Sequence, residues 1–250
     1  MPSIPVDVLR EILEHVRNKA VLVTLCRVNK IVCSCTQDVL YREISSYYGD
    51  RQRTIRTLAQ SIDLARRVRS FESYYQALDL AKALRNMSSL RRLILGVSIQ
   101  DLSILDGCTF KLDTFSCDCP HSGPLRRFIN SQPNLTDITL HTPLNHLPKT
   151  LPFKETCFPN LTRIRTEPFW LSILIPGRPV REVTVHRSWR TYSFDFSFFA
   201  LSTAPIQKLN IPYNILSREP VSLLASIFPS LVHLILDATC CSVRITPSYR

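Results

Sequence analysis

Along this chain one pattern of positions, apolar-x-x-apolar-x-apolar, comes back eight times. The copies are Val68-Phe71-Ser73, Leu90-Leu93-Leu95, Leu112-Phe115-Cys117 and Leu135-Ile138-Leu140, then Leu161-Ile164-Thr166, Val180-Val183-Val185, Ile206-Leu209-Ile211 and Leu231-Leu234-Leu236. The first and fifth copies are degenerate at their last position. From first position to first position the spacings are 22, 22, 23, 26, 19, 26 and 25. The last two apolar positions alternate with polar ones, which predicts a short strand buried on one face. A single match carries little, because at 45% hydrophobic residues such a triplet arises by chance in about a tenth of windows. The even spacing carries the weight, together with its punctuation. Pro133, Pro159 and Pro229 stand two residues before their copies, and Pro179 and Pro205 stand one before. Proline cannot continue a preceding helix, so it fits the entry to a strand.

A period near two dozen residues predicts a leucine-rich-repeat solenoid, an α/β fold of about eight irregular strand–helix repeats over residues 68–250. Helices are expected over Thr54–Ala65 with Ile55, Leu58, Ile62 and Ala65 inward, and over Tyr75–Asn86 with Leu78, Ala81, Leu84 and Arg85 beneath the next strand. Further helices are expected near Gly123–Ser131, Pro168–Leu174, Asp195–Thr203 and Pro220–Phe228, each just before its strand. The prolines at 143, 148, 152 and 159 predict an irregular loop over 143–159. Only Asn214 fits the asparagine that usually builds the loop-side hydrogen-bond ladder of such repeats, so an irregular ladder is expected. The chain stops 14 residues past Leu236 with no pattern for a capping helix, which reads as a shortened product or an end completed by a partner or dimer contact.

Residues 3–44 stand outside the repeat and predict three short helices, with 45–67 as linker and first solenoid helix. Val8, Leu9, Ile12, Leu13 and Val16 recur at helical spacing after Pro5. Val21, Leu22, Leu25 and Val28 mark the second helix, and Val39, Leu40, Tyr41 and Ile44 close the third. Some forty residues are too few to fold comfortably alone, so this module is expected to lean on the solenoid or on a partner.

Composition then removes whole classes of function. Gly is rare, at 5 of 250, and no GxGxxG or Walker-type run exists, so a nucleotide-binding loop is not expected. No uncharged stretch reaches the ~20 apolar residues of a membrane span. The N-terminus lacks a basic-then-apolar signal layout, which points to the cytosol or nucleus. The nine cysteines are then expected to stay thiols. Cys33-x-Cys35 and Cys117-x-Cys119-x-His121 lack paired CxxC spacing, so no metal or other cofactor is expected. The net charge of +11 is spread evenly: residues 1–70 carry twelve Lys/Arg against seven Asp/Glu, and the remainder nineteen against thirteen. Without a basic domain or interleaved aromatics, nucleic-acid binding is the weakest reading; Arg51, Arg53 and Arg56 head its densest patch.

The repeats place side chains in columns on the concave face. One column runs Arg92, Thr114, Asp137, Arg163, Glu182, Lys208, His233, alternating acid and base in its middle. The next runs Ile94, Ser116, Thr139, Arg165, Thr184, Asn210, Ile235. The third runs Gly96, Asp118, His141, Glu167, His186, Pro212, Asp237. We take Arg92, Asp137, Thr139, His141, Arg163, Arg165, Glu167, Glu182, Thr184, His186, Lys208, Asn210 and His233 as the candidate substrate-binding face. His141 and His186 flank Glu167, which predicts that the carboxylate raises both histidine pKa values and makes binding pH-sensitive. No activated serine or cysteine accompanies them, so an enzyme is not expected.

The N-terminal run Ile4-Pro5-Val6-Asp7-Val8-Leu9-Arg10-Glu11-Ile12-Leu13 resembles the opening of an F-box, usually Leu-Pro-x-Glu/Asp-x-Leu. Leu25-Cys26-Arg27-Val28-Asn29-Lys30 is similar to its second-helix stretch, and Leu40-Tyr41-Arg42-Glu43-Ile44 to its closing segment. Lys30 is followed by Ile31 where the family often has an aromatic, and Arg17-Asn18-Lys19-Ala20 lacks its usual acidic turn. The order F-box, helix, repeats is similar to the F-box/leucine-rich-repeat proteins abundant in mushroom-forming fungi. That resemblance implies a substrate-recruiting subunit of an SCF (Skp–cullin–F-box) ubiquitin ligase, with no chemistry of its own. It implies adaptor contacts at Ile4, Pro5, Val8, Leu9, Ile12, Leu13, Leu25 and Val28, and a protein substrate on the concave face. The alternatives are a ligase-independent repeat scaffold, whose N-terminal helices cap the solenoid, and a basic nucleic-acid-binding protein.

Overall fold

The computed structural model describes residues 4–45, 51–99, 101–118, 123–141, 157–186, 195–212, 221–238 and 241–245. Its frame is one ten-stranded sheet whose strands follow each other in chain order. They are β1 (Glu43–Ser45), β2 (Ser70–Tyr75), β3 (Arg92–Ser98), β4 (Thr114–Cys117), β5 (Asp137–Leu140), β6 (Arg163–Thr166), β7 (Glu182–Val185), β8 (Lys208–Pro212), β9 (His233–Ala238) and β10 (Cys241–Ile245). The first nine pair in parallel, and β10 returns antiparallel on β9. This is a solenoid-like α/β architecture.

Every copy of the apolar triplet through Ile211 is buried, from Val68, Phe71 and Ser73 to Ile206, Leu209 and Ile211. Alternation explains it: each strand sends every second side chain to the helix-bearing face and the intervening ones to the open face. The two degenerate copies stay inside because each polar group finds a carbonyl. Thr166 Oγ1 donates to Leu140 O at 2.8 Å and Ser73 Oγ to Tyr75 O at 3.0 Å. A buried hydroxyl left unpaired would cost about 1–3 kcal/mol.

At the strand entries the backbone forms a regular ladder. The carbonyl of Arg69 accepts the N–H of both Arg91 and Arg92, and the carbonyls of Arg91, Asp113, Thr136, Thr162, Arg181 and Gln207 each accept two N–H groups from the next repeat in the same way. Backbone alone supplies this ladder, so it needs no asparagine. Asn214 itself lies outside the described residues, as do 142–156 of the expected irregular loop.

The helices differ from expectation where local preference competes with helical spacing. The N-terminal three are α1 (Val6–Glu14), α2 (Lys19–Leu25) and α3 (Lys30–Arg42). The stretch expected as one helix over Thr54–Ala65 is α4 (Arg51–Gln60) and α5 (Ile62–Ala65), broken at Ser61, whose hydroxyl accepts from Leu64 N at 3.4 Å. The break turns Ile62 outward while Ile55, Leu58 and Ala65 stay buried. The helix expected from Tyr75 begins only at Leu80, as α6 (Leu80–Asn86). The aromatic pair Tyr74-Tyr75 prefers a pleated surface and prolongs β2, which leaves Leu78 fully exposed. Helices α7 (Gly123–Asn130), α8 (Pro168–Leu174) and α9 (Val221–Ile227) follow the expected places, while 195–203 holds a 3-10 turn, Ser197–Leu201. Asp195 fixes that turn by accepting from Ser197 N and Oγ, both at 2.8 Å.

Two strands were not anticipated. β1 prolongs the sheet into the end of the N-terminal module, with Ile44 opposite Phe71, and β10 closes the far edge. Arg178 is also a surprise, buried beneath the strand entries. Its guanidinium donates to Cys157 O at 2.8 Å, Ile173 O at 2.9 Å and Pro176 O at 3.1 Å, and lies over Phe158 at 5.4 Å. No helix among the described residues is long and apolar enough to cross a membrane.

Candidate functional site

The open face is the side of the sheet away from the helices, and strand register brings the predicted columns together there. Arg92, Thr114, Asp137, Arg163, Glu182, Lys208 and His233 are consecutive partners across β3 to β9. Thr139, Arg165, Thr184 and Asn210 are likewise neighbours one position further on. Strands ~4.8 Å apart put such side chains within reach of each other.

Much of this charge is answered within the sheet. Arg163 Nε lies 3.0 Å from Asp137 Oδ2, whose residue is only 8% exposed, so this pair sits tightly on the surface of β5. Lys208 Nζ and Glu182 Oε2 stand 3.8 Å apart in a more open pair. Arg92 donates to Ser70 Oγ at 3.1 Å. Arg165 and His233 are exposed, and Thr139, Thr184 and Asn210 half-buried.

At the carboxyl ends of β4 to β7 the third column forms a compact cluster. The His141 amide donates to Cys117 O at 3.0 Å and the His186 amide to Thr166 O at 2.8 Å, which continues the ladder one residue beyond the strands. The His141 ring bridges two carboxylates, with Nδ1 3.5 Å from Glu167 Oε1 and Nε2 3.8 Å from Asp118 Oδ1. Its other side meets the His186 ring edge-on, centroids 4.0 Å apart. Asp118 is the member that spacing alone did not single out. It was legible only as a column neighbour, because nothing in the sequence says which carboxylate an imidazole will turn towards.

The two histidines respond oppositely to these surroundings. The hydrogen bond to Glu167 raises the pKa of His141 above the usual histidine range, and the Asp118 charge adds to it. His186 is pushed down to about 4, first by burial and then by the neighbouring His141 charge. The expectation that Glu167 raises both is therefore corrected. Two adjacent imidazoles cannot both carry a proton cheaply, and the one that holds the carboxylates keeps it. Burial also pushes the Asp118 carboxyl up. His186 Nε2 is buried without a hydrogen-bond partner among the described residues. Cys117, next to this cluster along the chain, points into the core and offers no nucleophile to it.

The second candidate surface is on the N-terminal module. Its own core is small: Leu13, Leu22 and Cys35, flanked by Leu9, Val16, Leu25, Val39 and Leu40. Amphipathic spacing in α1 and α2 leaves the other aliphatics in solvent. Ile4 and Val28 are each 61% exposed, Ile12 50% and Val8 49%, and Val6, Val21, Val23 and Ile31 are exposed as well. Of the residues proposed to meet an adaptor, Ile4, Pro5, Val8, Ile12 and Val28 thus lie outside, Leu9 and Leu25 are half-buried, and Leu13 belongs to the interior.

Polar contacts fasten this module to the sheet. Arg67, between α5 and β2, donates to Ser34 O at 2.8 Å, to Ser34 Oγ at 3.3 Å and to the Asp38 carboxylate of α3. Within the module, Arg10 of α1 reaches the same carboxylate at 3.7 Å, and Arg42 binds Glu14. The Arg69 amide donates to Arg42 O at 2.9 Å, which carries the backbone ladder into the end of α3. Among the described residues no group of three or more His, Cys, Asp or Glu side chains is arranged to hold a metal ion. Cys119 and His121 lie outside the described residues.

Comparison with models of known protein families finds none that matches this chain, and comparison with curated proteins finds no significant match.

Proposed function

We propose that this protein is a substrate-recruiting subunit of an SCF-type ubiquitin ligase. The observation that carries this reading is the density of solvent-facing aliphatic side chains on residues 4–31. A helical module that buries so few of its own apolar residues, and shows so many, is suited to a partner that covers them. Ile4, Val8, Ile12 and Val28 stand at positions where the F-box resemblance implies contact with the Skp adaptor and, through it, a cullin. The open face would then present Arg92, Arg165, His233 and the paired charges between them to a protein substrate. The chain performs no bond chemistry in this reading. It raises the local concentration of substrate beside the charged conjugating enzyme, and the other subunits supply the reaction. The cytosol and nucleus are where that assembly would form.

Co-purification with a Skp-type adaptor tests it. We expect a stable complex with the native chain and none with Val8→Asp combined with Ile12→Asp. Both side chains are exposed, so the variant should keep its fold, which circular dichroism checks. Absence of a complex with the native chain, or a complex indifferent to the double variant, would sink the proposal. A scaffold that uses α1–α3 only as an end cap is the second reading, favoured by the pairing of β1 with β2. It predicts the first of these results, no complex with the native chain.

A further inference from the structure

The apolar interiors of the module and of the sheet stay separate, and a groove of about 540 Å³ opens along the seam between them. Val16 and Leu40 pack at the edge of the module's core, and Ile44 packs at the edge of the sheet's. All three are half-buried, so each shows part of its side chain to the groove. The helices form one wall, with the turn between α1 and α2 at its rim. Strand register supplies the floor. Glu43, Ser70 and Arg92 stand opposite one another across β1, β2 and β3, and Ser45 stands opposite Glu72. These positions alternate with the inward Ile44, Phe71 and Leu93, so they face the open side. They prolong the first two columns of the open face by two strands, up to the foot of the helices.

The charges around the groove are unevenly answered. Arg42 binds Glu14, and Glu72 accepts from the Tyr74 hydroxyl. Arg17 and Lys19, both exposed at the turn between α1 and α2, make no ion pair or hydrogen bond among the described residues. Arg92 donates to Ser70 Oγ at 3.1 Å and is otherwise exposed. Glu43 is the remaining carboxylate of the lining, so three cations at the rim stand against one. Further along the face Arg163 and Lys208 are each matched by a carboxylate of the neighbouring strand. At this end of the sheet the cations are not.

We infer that the groove is a binding site for an extended acidic segment of another protein, with an aliphatic residue set between carboxylates. The aliphatic side chain lies against Val16, Leu40 and Ile44, and the flanking carboxylates meet Arg17, Lys19 and Arg92. The groove has the volume of a ligand-sized cleft. Its floor runs on into the open-face columns, which favours a chain that continues along the sheet over a compact small molecule. None of the residues implied in adaptor contact lines the groove, so both surfaces can be occupied together and this site stands whether or not the ligase reading holds. Within that reading, the segment belongs to the substrate.

Fluorescence polarisation on the full chain tests the site, with a fluorescein-labelled peptide whose core is Asp-Asp-Leu-Asp-Asp. We expect saturable binding that weakens as salt is added. Peptides with the cores Asn-Asn-Leu-Asn-Asn and Asp-Asp-Ser-Asp-Asp should each bind about tenfold more weakly. Arg17→Gln combined with Lys19→Gln should weaken the first peptide by about tenfold. Arg53→Gln combined with Arg56→Gln removes as much charge from α4 and should leave binding unchanged. All of these side chains are exposed, so both variants should keep their fold. No saturation by about 1 mM peptide would overturn the site. So would equal binding of either altered core, or a first double variant that binds as well as the second.

Discussion

The N-terminal helices and the repeat sheet use apolar residues in opposite ways. In the sheet each triplet is covered by its own helix and by the repeats on either side, so one continuous core runs from Ile55 to Phe228. In the module only Leu13, Leu22 and Cys35 of the apolar residues are fully enclosed, and a larger number of aliphatics faces water. A repeat array builds its core by stacking on itself, whereas a forty-residue module cannot. The contrast teaches that the module's outer apolar face is surplus to its fold, which is why the proposed adaptor contact is placed there.

The strongest way to break this comparison is to cut into each core. Phe115 is fully buried and packs on the Phe128 ring at 5.6 Å. Phe115→Ala should destabilise the sheet by about 3–5 kcal/mol, read as a lower denaturant midpoint for the main transition. Leu13→Ala should instead loosen α1–α3 alone, seen as faster hydrogen exchange there with the main midpoint unmoved. If both variants lowered one common transition equally, the two regions would be a single cooperative unit.

The junction comes next. Arg67→Ala removes the donors to Ser34 and leaves the half-buried Asp38 with only Arg10 at 3.7 Å. We expect a loss of about 1–2 kcal/mol, together with earlier proteolysis between α3 and β2. Unchanged protection there would mean that β1 and the backbone ladder hold the module without Arg67.

The pH dependence sharpens the contrast from the sheet side. His141 has a raised pKa, so its contribution is fully present below the ordinary histidine value and is lost as pH rises through the raised one. His186 is lowered to about 4. Its neutral burial is therefore harmless above about 6.5, and stability falls as pH drops from there towards 4. Midpoints measured from pH 4 to 9 should show both limbs. His141→Gln should flatten the alkaline limb and His186→Gln the acid one, while the module's exchange rates stay the same. The smallest effect is expected for Glu182→Gln, because the Glu182–Lys208 pair is long and open; urea unfolding should shift by less than about 0.5 kcal/mol.

The eight copies were legible because strands pair triplet to triplet across spacings of 19 to 26 residues, so position within a copy and spatial register are one quantity. That is why the columns from Arg92 to His233 could be read before any fold was known. The His141 cluster was only half legible. Its members follow from register, but opposite pKa shifts come from which imidazole faces Glu167 and which is merely buried beside it. Ile62 and Leu78 failed for a different reason. Helical spacing put both inward, and a serine break in one case and a tyrosine-driven strand in the other turned them out.

By itself, then, the sequence determined the stacking direction, the inward side of β2 to β9 and the separateness of the first forty residues, since all three follow from local periodicity. Tertiary structure alone decided that β1 joins the module to the sheet, and that Arg178 reaches the Cys157 carbonyl from within. It also decided which of α1's aliphatics, Leu13 against Val8 and Ile12, is enclosed. Those outcomes depend on contacts between residues far apart in the chain, and nothing in local spacing records who the distant partner is.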